Sequence, residues 1–164
     1  MDNTEVWRGY YDFALLLKDI GDDEADLYFK KAEDVSIAID VQLWNEDKQG
    51  YNSELSKELD WNNFYPDARA NMRMLLFGIP NTEDKIDLIY HSFISNHPDW
   101  ITLEAGDTQC MAMSVGTAVA KDYNTLNSFL ENIETQIMPD KDWPWKISES
   151  GYYIRTLLIL ENVD

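Results

Sequence analysis

The chain is short of the residues that carry several common chemistries. Its 164 residues include one cysteine and two histidines. A single Cys110 allows no intramolecular disulfide, and His91 and His97 stand apart without a partner motif, so no metal site is expected. No glycine-rich phosphate loop, nucleophile elbow or zinc spacing occurs. Basic residues are also scarce: 13 Lys and Arg stand against 31 Asp and Glu, giving a net charge of −18. Nucleic acid is therefore excluded as a partner, because its phosphates need Lys and Arg to displace counterions. An anionic membrane surface is excluded on the same ground. No apolar run approaches the roughly 20 residues that span a bilayer. Residues 1–13 lack the basic start and apolar stretch of a secretion signal. The chain as it stands is thus expected in the cytoplasm, with export left open for longer relatives. Most of the acidic charge reads as a solubilising surface, compatible with a neutral ligand such as a sugar.

What is present is helical periodicity. Val6, Tyr10, Phe13, Leu17 and Ile20 paint one face of a first helix, which Gly21 ends. A second helix starts in the acidic run Asp22-Asp23-Glu24 and continues to about Asn45. Residues 46–63 have no helical period, and Gly50-Tyr51 is placed for a short strand or hairpin. Tyr65-Pro66-Asp67 opens a third helix ending at Gly78, and Asn81 to Asp84 cap a fourth that closes at His97-Pro98. A fifth runs from Met111 to about Ala120 with Gly116, Ala118 and Ala120, whose small size permits close packing. The sixth begins near Asn124. The last, Tyr152 to about Glu161, is apolar nearly all round and wants burial on more than one side. The expectation is one all-α domain over residues 1–164, built of antiparallel hairpins from about seven helices. Short links follow helices one, three and five, and longer aromatic-rich links follow two, four and six. A site is expected at the end that carries the longer links.

Four blocks add a resemblance: Asp2-Asn3-Thr4-Glu5-Val6-Trp7-Arg8-Gly9, Leu43-Trp44-Asn45 with Gly50-Tyr51, Trp61 with Phe64-Tyr65-Pro66-Asp67-Ala68, and His97-Pro98-Asp99-Trp100. In this order they resemble a bacterial group of six-hairpin glycosidase-like proteins. The resemblance implies an (α/α)6 toroid of twelve helices alternating inner and outer. Its sugar cleft would lie where the longer loops meet the N-termini of the inner helices. Helices one, three, five and seven would be inner, and two, four and six outer. What resembles the middle of the family pattern begins at Met1, so a partial toroid, the C-terminal half, is expected.

Glycoside hydrolysis generally uses two carboxyl groups flanking the scissile bond. Asp67, Glu5 and Asp2 are the candidates for acid and base, with Glu149 a weaker one. Each has a structural alternative. Asp2 with Glu5 reads as a capping box, and Asp67 in a first helical turn favours the helix dipole. Trp61, Tyr65, Trp143 and Trp145 are candidate sugar platforms, against which stands ordinary core packing. Arg8 is a candidate donor to a sugar hydroxyl or acid, or else half of an ion pair. Cys110 reads as a buried small hydrophobe. No cofactor is implied. Two functions stay open: a glycoside hydrolase-like protein acting on or binding oligosaccharide, and a non-catalytic helical module that self-associates or packs on a partner chain. A partial ring would expose apolar helix sides, so self-association as an isologous pair is expected.

Overall fold

The computed structural model describes residues 2–102, 111–139 and 147–162; Cys110, Trp143 and Trp145 lie outside them. Among the described residues the chain is all-α, with seven helices. These are α1 (Asp2–Asp19), α2 (Ala25–Leu43), α3 (Arg69–Phe77), α4 (Ile86–Asn96), α5 (Met111–Val119), α6 (Tyr123–Asn132) and α7 (Ile147–Glu161). A two-stranded hairpin pairs β1 (Trp44–Asn45) antiparallel with β2 (Gly50–Tyr51), where a short strand was expected. No described helix is long and apolar enough to cross a membrane.

Local chemistry sets most helix ends. Gly21 and Gly78 follow α1 and α3 with φ of 74° and 64°, a left-handed backbone that a Cβ disfavours. Tyr65 is extended (φ −122°, ψ 125°), as residues before proline are, so a wide π turn over Phe64–Ala68 leads into α3. Asp122 caps α6 by accepting from the Thr125 N–H at 3.1 Å.

Four expectations change. No side-chain cap starts α4: Thr82 turns its hydroxyl to the Ile79 carbonyl (2.6 Å), and a 3-10 turn over Glu83–Lys85 intervenes. Glu5 does not close a capping box toward Asp2 but pairs with Arg73 of α3. The last helix begins at Ile147, so Glu149 lies inside its first turn. Far from being enclosed, α7 buries only Glu149 and Thr156 and leaves Ile147, Ile154 and Leu158 exposed.

The odd-numbered helices form a contiguous row: α1 touches α3, α3 touches α5, and α5 touches α7. The even helices flank this row, with α2 on α1, α4 on α3, and α6 on α5. The centre is α3 against α5, each burying eight of its nine residues. A Cβ on Gly116 would lie 2.8 Å from Met72 Cε and 3.3 Å from its carbonyl oxygen, so the small residue permits that close approach. Between α4 and α6, the fully buried Trp100 packs against Phe93 at 5.8 Å and Phe129 at 4.5 Å between ring centroids. Lys85 ties the hairpin to the helices: its ammonium pairs with Asp40 of α2 and lies 4.5 Å from the Trp44 ring centroid.

Candidate functional site

The longer links all precede odd helices, so they enter the row at helix N-termini. Glu149, in the first turn of α7, accepts from the N–H of Met111 at 3.2 Å, which places the N-termini of α5 and α7 side by side. Glu5, in the first turn of α1, reaches Arg73 of α3. Two separate contacts thus lie along the row, Glu5 on Arg73 and Glu149 on Met111, and the residues 44–68 link runs into α3 at Arg69.

That link is held to α3 by two side chains one turn apart. Asn71 accepts from the Tyr51 N–H (2.6 Å) and donates to the carbonyls of Tyr51 (2.9 Å) and Asp67 (3.0 Å). Asp67 accepts from Ser53 (2.6 Å), Asn63 (2.8 Å) and Lys57 (3.2 Å). Its side chain has no solvent exposure. Burial pushes the Asp67 carboxyl up, but the bonds from Ser53, Asn63 and Lys57 outweigh it and hold the group below its usual range. A general acid must carry a proton at working pH, and a carboxyl group held low is ill suited to that role. Its geometry is that of an anchor for the link.

Trp61 is half-buried. Its indole N–H donates to the Lys48 carbonyl (2.8 Å), and its own carbonyl meets His97 Nε2 at 2.6 Å. A Cβ on Gly50 would come within 2.6 Å of both Trp61 Cζ2 and Leu59 Cδ2, so the ring packs the link rather than standing free. Tyr65 is different: it is exposed, with the buried Arg69 guanidinium 5.5 Å from its ring centroid. Arg8 pairs with Asp12 at 2.7 Å, and Asp2 is exposed in the first turn of α1.

The arginines were not singled out beyond Arg8, and they are the informative group. All four in the chain, Arg8, Arg69, Arg73 and Arg155, lie on odd helices. Arg69 and Arg73 are buried. Arg73 holds Glu5 through Nη1, while its buried Nε has no hydrogen-bond partner among the described residues. Burial and the nearby Arg8 charge push the Arg155 guanidinium down. The available signal was polar spacing on a helix expected to be inner, where Arg69, Asn71 and Arg73 interrupt an apolar run. Among the described residues no group of three or more His, Cys, Asp or Glu is placed to hold a metal ion. Compared with family models, curated proteins and solved structures, the chain matches none.

Proposed function

We propose that the chain acts on or binds an oligosaccharide at the N-terminal end of its odd helices, as the half-toroid that its sequence blocks resemble. The observation that carries this is the Glu5–Arg73 pair, a half-exposed carboxylate on a buried guanidinium with an unused donor. Arginine offers planar paired donors that suit sugar hydroxyls and carboxylates. Glu5 is the acid or base in this reading and Asp2 the second carboxyl group, while Asp67 keeps the link in place. Tyr65 presents an exposed ring for a pyranose face, and Trp143 and Trp145 belong to the link that precedes α7.

Hydrolysis of an oligosaccharide panel, with calorimetric binding alongside, tests this. Glu5→Gln should lose at least about 100-fold in turnover while still binding. Unchanged turnover in Glu5→Gln removes Glu5 from the chemistry. Neither turnover nor binding on any saccharide removes carbohydrate.

A second reading, a module that packs on another chain, is favoured by the exposed apolar residues of α1 and α7. Light scattering at micromolar concentration tests its simplest form, an isologous pair.

A further inference from the structure

The outer side of α1 carries an exposed apolar seam. Val6, Phe13, Leu16 and Ile20 are 45, 42, 55 and 68% exposed. With Gly9 they occupy positions 6, 9, 13, 16 and 20, the alternating three-and-four spacing that a helix uses to pair with another helix. Gly9 is itself exposed, and a Cβ there would meet nothing within 4 Å. Glycine is disfavoured inside a helix, and no packing among the described residues calls for it here. A second backbone crossing closely at Gly9 would. One border of the seam repeats acid every seven residues, Glu5 (paired with Arg73), Asp12 (paired with Arg8) and the exposed Asp19, and runs into the exposed Asp22, Asp23 and Glu24 at the turn. Of the two cations of α1, Arg8 and Lys18, the first is committed to Asp12.

We infer that this seam docks a basic amphipathic helix of a partner protein, independently of any carbohydrate reading. Its apolar positions would fill the seam, and its Lys or Arg would face the acidic border. Charge decides between occupants. A second copy paired through α1 would bring its own acidic border to the same seam, Asp19 and the Asp22, Asp23 and Glu24 turn included, in a chain already at −18. A cationic helix meets the seam and the border together.

The test titrates the full chain into a labelled peptide of about three heptads, with Leu at seam positions and Lys at the flanks. A scrambled peptide of the same composition and a Leu/Glu version serve as controls. Patterned Leu/Lys peptide should bind at least about tenfold tighter than the scrambled one. Leu16→Ser and Ile20→Ser, both at exposed positions, should each weaken it several-fold. Asp19→Lys should weaken binding and flatten its salt dependence. Equal binding of the scrambled peptide, or unchanged binding in Leu16→Ser, overturns the proposal. So does a dimer by sedimentation that Leu16→Ser dissociates, because the occupant is then a second copy.

Discussion

Half-buried His97, which meets the Trp61 carbonyl, and buried Asp67 are titratable groups at the residues 44–68 link, and they set its response to acid. The imidazole lies near the Phe64 and Phe93 rings, and burial pushes it down although the Trp61 carbonyl opposes this. The unfolded histidine titrates near ~6.5 and binds its proton first on acidification. Stability from neutral His97 is therefore full above that value and falls as pH drops toward the folded value. Asp67 and Asp122 are both held low in the fold. Their contribution is present above ~3.9, the unfolded value, and is lost as pH falls through the folded value. Urea midpoints should thus decline in two stages on acidification, and His97→Gln should remove the upper stage alone. A flat midpoint between pH ~7 and ~5 would show that His97 is not linked to folding. Asp67→Ala should cost about 2–4 kcal/mol by stranding the Ser53, Asn63 and Lys57 donors. Glu5→Gln, half-exposed, should cost under about 1 kcal/mol. Equal losses in the two variants would show that anchor and site are not separate. The place of Asp67 after Pro66 is legible in the sequence. Its partners are not, because Ser53, Lys57 and Asn63 lie in a stretch without period, where pairing depends on how the link folds back.

At the scale of elements, legibility followed periodicity. α2 and α6 bury one face each, so their apolar spacing marks them, whereas on α1 the spaced Val6, Phe13 and Ile20 are exposed and the buried apolar residues are Trp7, Ala14 and Leu17. The start of α7 did not show, because Ser148, Ser150 and Gly151 are weak helix formers whose place is fixed by Glu149 reaching α5. Glycines test how elements approach one another. Gly116→Ala should change stability by less than about 1 kcal/mol. The nearest atom, Met72 Cε, is the end of a flexible side chain, and alanine favours the helix by a similar amount. Gly50→Ala should cost about 1–3 kcal/mol, since Leu59, Trp61 and the Asn71 amide all crowd the added methyl. Thermal unfolding of the two variants compares them directly. A larger loss at Gly116 would mean that the α3–α5 contact is less able to adjust than the link.

For the whole molecule, stacked hairpins were readable from alternating link lengths and the row of odd helices was expected from the family resemblance, but the centre of that row was not legible. An all-round apolar pattern pointed to α7, whereas α3, with Arg69, Asn71 and Arg73 in its sequence, is the more enclosed. Burial on all sides depends on having neighbours on both sides of the row, and α3 and α5 have them. α1, by contrast, buries only Thr4, Trp7, Ala14 and Leu17 along its 18 residues, and packs chiefly on α2. Free energies of local opening follow such differences in buried contact. The α1–α2 hairpin should therefore open as a unit before the rest. Its slowest amides should exchange hydrogen at a lower free energy than those of α3 and α5. Arg73→Ala, which removes the partner of Glu5 on α3, should lower protection in α1 and α2 and leave α5 little changed. Equal protection in α1 and α5 would instead mean that the row opens only by global unfolding. Loss of protection spread evenly by Arg73→Ala would place that arginine in the common core rather than at the joint between hairpin and row.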